Sequence, residues 1–338
     1  MLPYLTTEFA DPGRVHTEAL ATRVGIETAR RQVAAFVDAR PREVVFTSSG
    51  TEAIAHAHHW IRGHVVTSAV EHSSVRDSIN AATTDVTVIG VDQQGRIDPD
   101  EVAAAIRSDT VLVSIQLANH EVGTVQSLEF DRPAGVLLHV DACAAIGNIN
   151  FSFREIGADL MSITAHKLGG PKGAGALLVR RGVRIASLLR GGAQERGRRG
   201  GIENAPAIVG FGAAVADLDI AVEGVRKLDL INRAASVLTA VDGVQRFGSG
   251  ELPGLLCIGV AGVEAEPILL SLDQHGIAVH SGSSCSSEML EPSPVLEAMH
   301  VDAQHSLRIS AGWNTTDADV DKFLRLFPVV IEKLRSLR

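Results

Sequence analysis

The chain reads as an α/β protein built on a mainly parallel sheet covered by helices on both faces, with a second, smaller α/β domain at its C-terminal end. Three observations carry this. Short apolar runs of strand length alternate with longer segments of helical periodicity along most of the 338 residues. Hydrophobic residues make up 45%, enough for a large core and two domains. Glycines are many (32) and aromatics few (4%), a balance suited to tight βα turns.

In chain order, residues 1–13 read as irregular, with a turn at Asp11-Pro12-Gly13. Residues 14–39 read as a helix, since Val24, Ala29, Val33 and Phe36 recur at near-helical spacing and Pro41 closes the segment. Val44 to Thr47 is a strand running into Ser48-Ser49-Gly50-Thr51, where a second helix begins and extends to about Ile61. Small residues at a helix start can cradle a phosphate, or serve as an ordinary cap. His56, His58 and His59 on that helix raise a metal reading, but no acidic or cysteine partner completes a ligand set, and an exposed polar face is favoured.

Further strands are read at His64 to Thr67, Val86 to Val91, Val111 to Leu117, Val136 to Val140, Leu160 to Ile163 and Ala176 to Val179. A helix follows His72, and another starts at Asp98-Pro99-Asp100-Glu101, with a cap, proline at the first position and an acid three residues on. Helical patterning spans Ala207 to about Val237, with the domain change near 215–220. This divides the chain into a large domain, 14–217, and a small one, 218–338, joined by 1–13. In the small domain, Leu255 to Val260, Ile277 to His280 and Leu307 to Ser310 read as strands. Glu266 to Gln274 and Asp317 to Leu337 read as helices, the last kinked or restarted at Pro328.

Polar residues stand just past the strands' C-terminal ends: Gly50 and Thr51, His72, Asn119, Asp141 and Lys167. Open α/β sheets bind ligands at that edge, though buried strands also simply end in polar loops. Lys167 precedes a glycine-rich turn, Gly169, Gly170, Gly173 and Gly175. A lysine at the end of a buried strand tends toward the neutral amine and can form a Schiff base with a carbonyl cofactor; the plainer alternative is a solvated loop lysine. The Arg- and Gly-rich stretch 189–204 (Arg196, Arg198, Arg199) reads either as an anion or partner-subunit contact or as a mobile loop. Cys257 lies among apolar residues and reads as structural. Cys285 lies in the small, polar run Ser281 to Ser287 and reads as a reactive thiol. Arg308, alone among apolar neighbours, could grip a carboxylate or form a surface ion pair.

The formal charge of −9 argues against a nucleic-acid binder. Three cysteines and no signal-like N-terminus point to a reducing, cytoplasmic setting, and no apolar run reaches the length of a membrane span.

Taken together the motifs FTSSGTEA, VEHSSV, LANHEVGTVQ, HVDACAA, SITAHKLGGPKGAGAL, GGAQERGRRGG, SGSSCSSEMLEPSPVL and LRISAGWNTT resemble the cysteine desulfurases, pyridoxal-phosphate enzymes of the class V aminotransferase group with fold type I. The resemblance implies pyridoxal 5'-phosphate held by Lys167 as the Schiff-base lysine. It implies Asp141 at the pyridine nitrogen, His72 stacked on the ring and moving protons, and Asn119 beside cofactor and substrate. Gly50, Thr51, Thr164 and His166 would hold the phosphate, and Arg308 the substrate carboxylate. Cys285 would take sulfur from L-cysteine as a persulfide, releasing L-alanine. It further implies a homodimer that passes sulfur to an iron-sulfur scaffold or a tRNA-thiolation enzyme, with no metal in the site. The chain departs from the family pattern at its N-terminus, which starts after the expected first strand, at Ala144 where a glutamine is usual, and at Ile202 where a threonine is usual. Those departures keep two alternatives open: a class V lyase or aminotransferase with another substrate, such as selenocysteine or cysteine sulfinate, and a degenerate homologue that binds a partner.

Overall fold

The structure, a computed structural model, describes residues 1–281 and 292–337. Cys285 and the rest of 282–291 lie outside the described residues.

Seven strands form the larger sheet: β1 (Val44–Thr47), β2 (His64–Ser68), β3 (Val86–Ile89), β4 (Thr110–Gln116), β5 (Leu137–Asp141), β6 (Leu160–Thr164) and β7 (Gly175–Val179). Their order is β1-β7-β6-β5-β4-β2-β3. β7 runs antiparallel to both neighbours, and the remaining pairs are parallel. So β7 alone starts at the edge where the others end. Most strands are buried along their whole length, as expected for a sheet covered on both faces.

Side chains alternate between two different interiors. On one face Phe46, Val113, Val140, Ile163 and Leu178 join one core cluster with Ile26 and Val33 of the helix Thr17–Phe36 and Phe211 of the helix Ala205–Asp217. On the other face the apolar packing is split in two. Val45, Leu160 and Leu177 pack with Ala53 and Ala57 of the helix Gly50–His58. Val65 and Leu112 pack with Ile54 of that helix and with Val75 and Ile79 of the helix Ser73–Ala82.

The smaller sheet is antiparallel, β8 (Val244–Phe247), β9 (Leu255–Val260), β10 (His280–Ser281) and β11 (Ser306–Ser310), in the order β10-β11-β9-β8. It buries its apolar side against the helices Ile220–Leu238, Ala265–Asp273 and Asp317–Ser336.

The fold departs from the sequence expectations at several points. Residues 2–6 are a short helix rather than irregular chain, with Pro3 in its first turn. Tyr4 packs on the larger core, and Thr22 donates to Glu8 O (2.8 Å), so this segment lies with the large sheet, not the small one. The segment 207–237 is two helices, bent by 81°. Leu218 is extended and the Asp219 carboxylate caps the second helix through the N–H groups of Ala221 and Val222. The strand expected at Ile277–His280 reduces to β10, and β8 was not foreseen. The last helix neither stops nor restarts at Pro328. Phe323 and Phe327 before it and Val330 and Ile331 after it are buried in one cluster, so both halves pack on the same core.

The Arg-rich stretch is docked rather than loose. Glu195, at φ 49°, accepts two bonds from Arg30 (2.7 and 2.8 Å) and one from the N–H of Phe46 (3.0 Å), with both charged groups buried. Arg199 pairs with Glu52 (2.9 Å), and Arg198 donates to Val44 O (3.2 Å). Removing one partner of a buried pair leaves the other charge uncompensated. Glu195→Ala is expected to cost about 3–5 kcal/mol in urea unfolding, and Arg30→Met in the same chain should recover part of it. A loss below about 1 kcal/mol would show that the pair does not hold this stretch in place.

Candidate active site at the carboxyl edge of the large sheet

Because β1, β2, β4, β5 and β6 run in one direction, the residues that follow them meet along one edge. β1 leads through Ser48 into the helix Gly50–His58. The Ser49 hydroxyl caps that helix by accepting the N–H of Glu52 (3.0 Å), and Ser48 binds the Glu52 carboxylate. Gly50 is required here by close approach: a Cβ would lie 2.6 Å from Cys143 Sγ. Gly175, the first residue of β7, is under a harder constraint, since its Cβ would lie 2.5 Å from the backbone carbon of Ser49. Thr51 is exposed at the helix start.

β5 ends in Asp141, buried, whose Oδ1 accepts the N–H of Cys143 (2.9 Å). The Cys143 thiol is pushed well up, first by burial and then by Asp141, with the Lys167 charge opposing. Cys143 and Thr164 both lie against Gly50, so the ends of β1, β5 and β6 meet at this corner. β6 ends in Thr164, whose hydroxyl shares a hydrogen bond with His166 Nδ1 (2.9 Å). Ala165–Leu168 form a single 3-10 turn that presents His166 and Lys167 to solvent, and Gly169 closes it at φ 85°. Burial, then the charges of Lys167 and Lys172, hold the His166 imidazole below its ordinary range.

His72 caps the helix Ser73–Ala82 through Nδ1, which accepts the N–H of Ser74 (3.1 Å). Its ring meets that of His120 edge-on, centroids 4.9 Å apart. Asn119 is fully buried: Oδ1 accepts the N–H groups of Glu121 and Val122 (both 2.8 Å), and Nδ2 donates to Val70 O (3.1 Å). Arg308, half-buried on β11, reaches across from the small sheet and donates to His120 O (3.4 Å). A cavity of about 310 Å³ lies between this edge and the small unit, walled by His120, Ala144, Lys167, Gly254, Ser310 and Trp313. Trp313 stands over Gly169. Ala144 thus opens onto the cavity, while Ile202 is 62% exposed.

His120 and Trp313 were given no role from the sequence. His120 stood in the same polar strand end as Asn119, which was signal enough to find it; Trp313 follows the arginine strand by a loop whose course no periodicity reveals. The helix histidines need a larger correction. His56 and His58 are fully buried, not on an exposed face. His56 Nε2 bonds Ala186 O (3.1 Å). His58 joins Ser78, Ser114 and His139, and His139 continues to Ser162 (2.9 Å). This polar seam is what splits the apolar packing on that face. No group of three or more potential ligands for a metal ion occurs among the described residues.

Comparison with known proteins agrees with this layout. The aminotransferase class-V family matches residues 1–323. The chain belongs to that family. It is 37% identical to cysteine desulfurase IscS of Dictyoglomus turgidum, over 100% of this chain and 91% of that one, and 39% identical to cysteine desulfurase IscS 1 of Archaeoglobus fulgidus, over 100% and 94%. A solved NifS-like protein superposes with a TM-score of 0.89 at 30% identity, covering 98% of this chain and 94% of its own.

Burial pushes His58 down to about 3 and His139 well below its usual range, the latter also by His58. Both are neutral when folded and titrate near 6.5 when unfolded. Their stabilising contribution is therefore complete above pH 6.5 and is lost as pH falls, by about 1.4 kcal/mol per pH unit for each histidine. His58→Gln is expected to remove one proton's worth of that acid slope between pH 6 and 4.5, read by urea midpoints. An unchanged slope would contradict the buried, neutral seam.

Proposed function

We propose that the chain is a cysteine desulfurase: it converts L-cysteine to L-alanine and carries the sulfur away as a persulfide on Cys285. The observation that supports this most is the convergence of Lys167, Asp141, His72 and the Gly50 turn at one sheet edge, in a family whose relatives at 37–40% identity are named cysteine desulfurases.

The edge fits pyridoxal 5'-phosphate on its own terms. The crowding at Gly50 and Gly175 leaves bare backbone at a helix N-terminus, whose first-turn N–H groups and dipole favour a phosphate. Thr51, Thr164 and His166 would add side-chain donors there. Asp141 offers a buried carboxylate to a protonated ring nitrogen, and Lys167 an amine to the aldehyde. When bound, the cofactor supplies an electron sink that weakens bonds to the substrate's α-carbon.

The chain's own residues do the rest. Arg308 grips the substrate carboxylate, with Asn119 beside it. The His72 imidazole would lie over the cofactor and hold a proton for transfer, and the Lys167 amine would take and return the α-proton. Cys285 attacks the sulfur of bound cysteine. One S–S bond forms, one C–S bond breaks, and alanine leaves with the electron pair and a proton on its β-carbon, so atoms and charge balance. The persulfide then passes to an acceptor, an iron-sulfur scaffold or a tRNA-thiolation enzyme.

In this reading residues 14–217 are the cofactor domain and 218–338 the smaller one. A second copy covers the exposed Leu2, Leu5, Phe9 and Val15, making a homodimer. No single helix among the described residues is long and apolar enough to cross a membrane; one bent pair, Ala205–Asp217 with Ile220–Leu238, passes by length and composition. The free thiols Cys143 and Cys257 support a reducing compartment, and we infer the cytoplasm.

The test is single turnover with L-cysteine, following visible absorbance and alanine. Wild type should be coloured and yield alanine. Cys285→Ala should stay coloured and lose at least about a hundredfold in rate, and Lys167→Ala should lose the colour. Colour without alanine from wild type would sink the desulfurase reading in favour of another class V substrate.

A further inference from the structure

Glu71 stands one residue before His72, and its side chain is almost wholly buried, at 1% exposure. Oε1 accepts the Ser68 hydroxyl (2.6 Å) and the N–H of Gln116 at the end of β4 (2.9 Å). Oε2 is buried and meets no hydrogen-bond partner among the described residues. The charged or titratable groups that bear on it are Asp141 at the end of β5 and His120 beyond β4. A full negative charge shared with an unpartnered buried oxygen is expensive, and Asp141 makes it more so. The neutral acid is the form that fits, with its proton on Oε2. Burial accordingly lifts this carboxyl to about 8, with Asp141 adding to the shift and the bonds from Ser68 and Gln116 and the nearby His120 opposing it.

The neighbourhood says what the acid does. Val70 O, one residue earlier, accepts the side-chain amides of Gln116 (2.6 Å) and Asn119 (3.1 Å). The turn 68–72 is therefore stitched to the end of β4 by Glu71 on one side and Val70 on the other, and His72 hangs from the end of that turn. We propose that Glu71, as a neutral acid, is a positioning residue that fixes His72 and Asn119 at the active site, and that its ionisation sets the alkaline limit of turnover. This rests on the desulfurase reading above. A charged Glu71 is driven toward water and away from Asp141, and the stitch on the His72 side slackens.

Two readouts test it on the holoenzyme. The first is the ratio of kcat at pH 9 to kcat at pH 7. Wild type should lose about tenfold over that range, as expected one pH unit above the midpoint of a single ionisation. Glu71→Gln, which keeps an acceptor for Ser68 and Gln116 but cannot ionise, should lose less than twofold. Ser68→Ala removes a bond that favours the charged form, so its alkaline limb should move to higher pH. The second readout is thermal stability without substrate. The native state holds the Glu71 proton up to about pH 8 and the unfolded chain releases it near 4.5. Stability from this group is thus greatest at low pH and falls as pH rises through that window. Between pH 6.5 and 8, where the buried histidines no longer contribute, the wild-type Tm should fall and that of Glu71→Gln should not. Alkaline limbs that superimpose for wild type, Glu71→Gln and Ser68→Ala would overturn the positioning role, even if the Tm slopes differ. Absence of alanine from wild type at every pH would instead overturn the desulfurase reading on which it rests.

Discussion

One reversal of direction organises this molecule. Five strands of the large sheet and its edge strand β1 point the same way, and β7 alone points back. A parallel strand after β6 would have required a crossover and carried the chain away from the edge. The antiparallel β7 instead returns directly, so the turn 165–174 is pinned at both ends where the other strands finish: Thr164 and Thr47 both register with Gly175. That pins Lys167 beside the ends of β1 and β5. The cost is crowding, visible at Gly175 and Gly50, where side chains of any size would strike backbone or Cys143. The same crowding leaves the bare amides that an anion needs.

Lysine is rare in this sequence. There are five, Lys167, Lys172, Lys227, Lys322 and Lys333, against 26 arginines. Arginine does the structural ion pairing: Arg30 with Glu195, Arg199 with Glu52, Arg226 with Glu223. Lysine is the cation that can give up its proton and act as a nucleophile, which arginine cannot. Lys227 serves a different purpose: its ammonium bonds Asn148 Oδ1 (2.6 Å) and Gly147 O (3.2 Å), tying the helix Ile220–Leu238 to the large unit. Lys227 and Lys167 both line the cavity, and of the two Lys167 is the one set on the exposed 3-10 turn at the carboxyl edge of the large sheet.

The sequence made the strands legible because each is a short, continuous apolar run, and the edge followed from where those runs end. Asp98-Pro99 showed its helix start because cap chemistry is local. What could not be read depends on tertiary contacts. β8 (VQRF) carries a charged and a polar residue in four positions and becomes a strand only by pairing with β9. His56 and His58 look like a polar face by spacing, yet Ser114 on β4, His139 on β5 and Ser78 on a neighbouring helix make a buried home for His58. Nothing in the sequence marks Glu71, and only the position of β4 reveals that its carboxyl is enclosed. The helix runs on through Pro328 because residues on both sides of it pack into one core.

The claim most exposed to direct test is that the turn after β6 supplies the lysine that holds the cofactor. Reducing the protein with borohydride in the presence of pyridoxal 5'-phosphate and mapping the labelled peptide by mass spectrometry would decide it. The account predicts a single stable label on Lys167. A label on Lys172 or Lys227, or none at all, would contradict it.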